Sequence, residues 1–125
     1  MTNDQTVFIV EDDPVVCESI AAHVNAMGMR TEVYPSAEDF LASGRLNEVA
    51  CLITDIQLGG MSGLQLQRQM ASLRAAAPII VMTAFPEDGR RALAAGALCV
   101  LDKPFIKDEL LTHIRLALQR RGRVS

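Results

Sequence analysis

Four short apolar runs, rich in β-branched residues, recur along this chain, and each stops at a chemically polar island. Val7-Phe8-Ile9-Val10 runs into Glu11-Asp12-Asp13, and Ala50-Cys51-Leu52-Ile53 into Thr54-Asp55. Pro78-Ile79-Ile80-Val81-Met82 runs into Thr83-Ala84, and Cys99-Val100-Leu101 leads to Lys103-Pro104. The runs lack apolar/polar alternation, as strands do when a sheet is covered on both faces. If they lie parallel, their carboxyl ends share one edge, and the islands meet in the crevice where open α/β sheets bind ligands.

The segments between the runs carry helical spacing. Val16, Ile20, Val24 and Met27 follow Pro14, with Asp13 placed to cap the helix and Gly28 to end it. Arg30 to Tyr34 reads as a more polar outer strand, and Ser36-Ala37-Glu38-Asp39 opens a short helix that turns Phe40 and Leu41 inward. Gly59-Gly60-Met61-Ser62-Gly63 reads as a turn before a helix with Leu66, Met70 and Leu73 on one side. A short helix around Ala92 to Ala95 closes at Gly96, and Leu110, Leu111, Ile114 and Leu118 line a final amphipathic helix. The alternation is (βα)5, an α/β fold with right-handed crossovers and a doubly wound parallel sheet. The 125 residues suit one domain, residues 1–125, with the last few forming a tail or the start of a linker.

Composition narrows the function. A net charge of −3 with scattered basic residues argues against direct nucleic-acid binding, which requires clustered Lys and Arg. Arg120, Arg121 and Arg123 at the end read as solvated helix-terminal charges. Cys17, Cys51 and Cys99 are odd in number and set among apolar neighbours, so they read as small core residues of a reducing, cytoplasmic protein. No run approaches the ~18 apolar residues of a membrane span, and the start lacks the pattern of a targeting segment. His23 and His113 fall on helical segments away from the islands, and the methionines read as core filler.

Glu11, Asp12 and Asp55 are oxygen donors of the kind Mg2+ takes alongside water and phosphate. Each acid alone reads as a cap or a solvated charge. Asp55 differs because it ends an interior strand with no helix start close by, which favours it as a nucleophile forming an aspartyl phosphate. Lys103 supplies a cation and Thr83 a hydroxyl for phosphoryl oxygens. The Lys103-Pro104 bond can be cis at modest cost, although trans is the commoner form.

These islands, in this order and over nearly the whole chain, resemble a response regulator receiver domain of two-component systems. Val10-Glu11-Asp12-Asp13-Pro14 resembles the acidic-pair loop, Thr54-Asp55 followed by Met61-Ser62-Gly63 the phosphoacceptor segment, and Met82-Thr83-Ala84 and Asp102-Lys103-Pro104-Phe105 the two remaining signatures. Thr83-Ala84-Phe85-Pro86 and Lys103-Pro104-Phe105 lean toward the nitrogen-fixation and nodulation-type regulators. The resemblance implies a flavodoxin-like fold of strand order 2-1-3-4-5. It implies Asp55 as the phosphorylated residue, Asp12 as a direct Mg2+ ligand, Glu11 acting mostly through water, and the Gln57 backbone carbonyl on the metal. Thr83 and Lys103 would hold phosphoryl oxygens.

The implied donor is a phosphohistidine on a sensor histidine kinase or phosphotransfer protein, with output through a further domain or a downstream protein. The chain would catalyse its own phosphorylation and dephosphorylation without being a turnover enzyme. A weak or phosphorylation-dependent homodimer is left open. The alternative is a phosphorylation-independent interaction module on the same fold. A flavin carrier fits poorly, because Glu11-Asp12-Asp13 would repel its phosphate, and an aspartate-based phosphatase lacks a second acid at Gln57.

Three departures stand out against the family pattern. Gly59-Gly60 stands where a proline is usual and should loosen the turn. The stretch from Thr83 to Gly96 is about two residues short, so an abbreviated or irregular fourth helix is expected. Val100 replaces the usual aromatic residue three positions before the lysine, which should weaken or alter relay of the signal to the last strand and helix.

Overall fold

Asp13 and Pro14 convert the end of the first strand into the start of the first helix. Asp13 is extended and accepts a hydrogen bond from Val15 N, while proline fills a first-turn position that needs no donor. The computed structural model describes residues 5–123, with side chains described through residue 119. In chain order the elements are β1 (Thr6–Val10), α1 (Pro14–Ala26), β2 (Arg30–Tyr34), α2 (Ala37–Ala42), β3 (Val49–Asp55), α3 (Gly63–Ser72), β4 (Ile79–Thr83), α4 (Pro86–Ala94), β5 (Cys99–Asp102) and α5 (Lys107–Arg123). A single 3₁₀ turn, Leu46–Glu48, precedes β3.

The five strands form one parallel sheet in the order β2-β1-β3-β4-β5, the doubly wound, flavodoxin-like arrangement. The order reverses between β1 and β3, so the carboxyl ends of these two strands flank the switch point. Every residue of β1 and β3 is buried. Successive side chains therefore serve opposite faces. Val7 and Ile9 pack with Ile20, Ile53, Met82 and Ile114 beneath α1 and α5, while Phe8 and Val10 pack with Phe40, Leu52, Leu66 and Met70 beneath α2 and α3. Ile56, Val81, Ala92 and Ala97 form a smaller cluster at α4. Burying each large aliphatic side chain contributes about 1.5–3 kcal/mol, so this two-faced core fixes the register that aligns the strand ends.

The expected elements form with small shifts at their ends. Leu73 is a correction: it is the C-cap of α3 and is 55% exposed, because the helix ends at Ser72 before its stripe can return to the core. Helix α4 runs over nine residues, Pro86–Ala94, after a connection of only Ala84 and Phe85 from β4. Cys17 and Cys51 are buried and Cys99 is half-buried, all three as free thiols. Burial pushes the Cys17 thiol up to about 11, helped by nearby carboxylates, which keeps it in the unreactive form. The Lys103-Pro104 bond is cis, the less common of the two forms. Among the described residues no helix is long and apolar enough to cross a membrane. The side chains of Arg120, Arg121 and Arg123 lie outside the described residues.

Candidate phosphoacceptor site

Four of the residues singled out from the sequence converge at the carboxyl edge of the sheet. Lys103 Nζ lies 2.8 Å from Asp55 Oδ2 and 3.0 Å from Glu11 Oε1, so one ammonium joins the ends of β1 and β3. The second Glu11 oxygen accepts from Asp13 N at 3.1 Å, and Asp55 Oδ1 accepts from Gln57 N at 3.1 Å. Asp12 is exposed beside them. One carboxylate oxygen from each of Glu11, Asp12 and Asp55 lies within 4.8 Å of the others.

Three carboxylates this close repel, and Lys103 offsets only part of their charge. Burial pushes Glu11 above the usual carboxylate range, against the opposing pull of Asp13 N and Lys103. Burial works to lower the Lys103 value, but its bonds to Asp55 and Glu11 prevail and raise it. The donor set suits a hard divalent cation: all ligand atoms are oxygens, and the exposed Asp12 makes no hydrogen bond or ion pair among the described residues.

A pH signature follows from Glu11. Its folded-state pKa lies above its unfolded value, so its contribution to stability is fully present below about 4.5 and is lost as pH rises through the raised value. In metal-free buffer, Glu11→Gln should therefore gain stability relative to wild type as pH increases across that window. Paired urea titrations check this, and a constant difference between the two proteins would refute it.

Thr83 ends β4 at the same edge and is buried, beside Asp102 across the β4/β5 ladder. Its hydroxyl accepts from Phe85 N at 3.0 Å, so it faces the start of α4 and is not bonded to the carboxylate cluster. Gln57 sits two residues after Asp55, and its side-chain amide donates to Asp88 in the first turn of α4 at 3.1 Å. Val100 is half-buried, and a Cβ at Gly89 of α4 would come within 3.0 Å of its Cγ1. His113 is half-buried on α5 with Nδ1 unpaired, and neither it nor His23 joins the cluster.

Three neighbours of the site were not singled out from the sequence as contacts. Asp88 meets Gln57 across 31 residues, Glu38 accepts from Met61 N across 23, and Gly63 lies so close to the end of β3 that no side chain fits. The first two are long-range pairings without a local signal. Gly63 is marked as one glycine among several in a turn and as part of the phosphoacceptor segment, but neither mark carries its close approach to β3.

A doubly wound parallel sheet with acids at its switch point and a lysine reaching them from the last strand defines the receiver class of α/β domain. Residues 7–115 match the response regulator receiver domain family, and the chain belongs to that family. It is 36% identical over 121 residues to the response regulator protein TmoT of Ectopseudomonas mendocina, covering 94% of this chain and 55% of that protein. It is 34% identical over 116 residues to nodulation protein W of Bradyrhizobium diazoefficiens, covering 91% and 51%. The FixJ-N crystal structure superimposes with a TM-score of 0.81 at 29% identity, covering 98% of each chain. The chain spans about half the length of the curated relatives it matches.

Proposed function

We propose that this chain is a phosphorylation switch in which Asp55 accepts a phosphoryl group in the presence of Mg2+. The observation that carries the reading is the Asp55 carboxylate at the buried end of β3, held by Lys103 and grouped with the Glu11 and Asp12 oxygens. Asp12, Asp55 and the Gln57 backbone carbonyl would hold the cation, with Glu11 acting through water. When bound, the metal supplies positive charge that offsets the phosphoryl oxygens.

The remaining chemistry belongs to the chain's own side chains. An Asp55 carboxylate oxygen forms the new bond to phosphorus as the bond to the donor's imidazole nitrogen breaks, and the imidazole leaves with the electron pair and takes a proton. Lys103 stabilises charge on a phosphoryl oxygen, exchanging part of its present ion pairing for it. Thr83 donates its hydroxyl to another, which requires the hydroxyl to leave Phe85 N. That rearrangement reaches α4 directly, because only Ala84 and Phe85 separate it from β4. Val100 lacks the ring that would carry the change through β5, so the α4 side becomes the main route of relay.

The donor in the cell is a phosphohistidine on a sensor kinase or phosphotransfer protein, and the partner whose affinity changes is a further domain or a separate protein. Residues 1–125 act as one receiver unit in the cytoplasm. The test is intact-mass analysis after incubation with phosphoramidate or acetyl phosphate. One phosphoryl adduct that requires Mg2+ and disappears in excess EDTA is expected. A folded protein that takes no adduct from either donor would overturn the reading in favour of an interaction module independent of phosphorylation.

A further inference from the structure

The connection between β3 and α3 carries the Gln57 carbonyl and contains two adjacent glycines. Ile56 N bonds the Met82 carbonyl of β4, and several of the amides that follow bond within the stretch or to the residues at its two ends. Gln57 N bonds Asp55 Oδ1, Leu58 N and Gly63 N bond Ile56 O, and Ser62 N bonds Gln65 Oε1. Met61 N is different. It donates to Glu38 Oε2 at 2.9 Å, and Glu38 belongs to the first turn of α2, a separate element.

The glycines differ in their surroundings. A Cβ at Gly59 would meet nothing within 4 Å, whereas a Cβ at Gly60 would collide with the same Glu38 oxygen that receives Met61 N. Neither glycine has the positive φ that would itself demand glycine. Gly60 is therefore the clearance through which an outside carboxylate reaches the loop backbone. Two glycines give a loop extra freedom to lose on ordering, and a proline would restrict it. Here a charged acceptor from another element supplies the restraint. Charge-assisted bonds from backbone amides to carboxylates are among the stronger hydrogen bonds.

We propose that Glu38 is a positioning residue of the phosphorylation site: from α2 it fixes Met61 N, and with it the span that presents the Gln57 carbonyl, and so sets affinity for the divalent cation. This rests on the metal-dependent reading of Asp55 above. The competing role is a solvated acid in the first turn of α2, favourable to the helix dipole and without effect on the loop.

Glu38→Ala, Glu38→Gln, Gly60→Ala and the Glu38→Ala/Gly60→Ala double variant separate the two. Mn2+ binding to the unphosphorylated protein is followed by electron paramagnetic resonance, exchange of the Met61 amide in metal-free buffer by NMR, and global stability by urea unfolding. Glu38→Ala and Gly60→Ala should each weaken Mn2+ binding about 3- to 10-fold, the range for one lost hydrogen bond of ordinary strength, since the Glu38 carboxylate is exposed to screening water. Each should also raise Met61 exchange without a matching rise at core amides. The double variant should be no weaker than either single one, because both remove the same contact. Glu38→Gln keeps an acceptor oxygen and should bind within about twofold of wild type. Wild-type binding with Glu38→Ala unchanged, or additive losses in the double variant, overturns the proposal for Glu38 alone. A wild-type protein that fails to bind Mn2+ overturns the metal reading of the site as well.

Discussion

Asp55→Asn should show no phosphoryl adduct with either small-molecule donor at Mg2+ concentrations that fully modify wild type. The substitution is nearly isosteric, and its side-chain oxygen can still accept from Gln57 N, as Asp55 Oδ1 does at 3.1 Å. What changes is the other oxygen. Asp55 Oδ2 lies 2.8 Å from Lys103 Nζ, and an amide nitrogen there offers a donor to a donor. Lys103 then keeps Glu11 as its remaining close anion, at 3.0 Å. The variant loses the anionic nucleophile and one cation ligand together, so the loss is of the reaction and not of a fraction of its rate. Folding should survive, because Asp55 sits at the end of a strand whose other buried residues are unaltered and asparagine has nearly the same shape. Far-UV circular dichroism matching wild type, with no adduct by intact mass, is the expected pair of results. A persistent Mg2+-dependent adduct in the variant would place the phosphoryl group elsewhere and remove Asp55 from its assigned role.

Much of this site is legible in the amino-acid sequence, for a physical reason. In a parallel sheet covered on both faces, a buried strand reads as a near-continuous apolar run, so its carboxyl end is marked by the polar residues that close the run. The polar islands that close the runs bring out Glu11, the pair Thr54-Asp55 and Thr83 from the chain alone, although all four are themselves buried at the sheet edge. The caps Asp13 and Ser36 were equally readable, because each acts within three residues of itself; Ser62, read only as part of a turn, caps α3 in the same way. Pairings made across the fold were not. Gln57 with Asp88, and Glu38 with Met61, depend on how α2 and α4 lie beside the β3–α3 connection, and no periodicity encodes that. The direction of the Thr83 hydroxyl is a similar case. Its residue type announced a hydrogen-bonding role, but its present partner, Phe85 N, follows from a sharp two-residue passage into α4. The expectation that the glycine pair would loosen its turn considered only the residues inside the turn. Glu38 enters from outside and ties Met61 N.

Gly63→Ala should destabilise the protein by about 3 kcal/mol, the upper part of the range for forcing extra atoms into a packed site. For a domain of this size that is a fall of roughly 10 °C in Tm. The reason is not backbone conformation, since Gly63 does not have positive φ. It is proximity. A Cβ at this position would be driven against the Asp55 carbonyl oxygen and would lie 2.9 Å from Ile56 Cα and 3.0 Å from Asp55 C. Those are main-chain atoms at the end of a fully buried strand, so no side-chain rotation relieves the overlap. The Gly63 N to Ile56 O bond at 3.0 Å holds the same two segments together from the other direction. Relief must come from moving the start of α3 or the end of β3, and the second choice displaces the Asp55 carboxylate from Lys103. Alanine's better helix propensity returns at most about 1 kcal/mol and less at a helix start. Gly59→Ala, four residues earlier and in open space, should stay within about 0.5 kcal/mol of wild type. The contrast isolates close packing from the general effect of removing a glycine. Equal melting temperatures for the two variants would show that the approach of α3 to β3 is looser than the geometry requires.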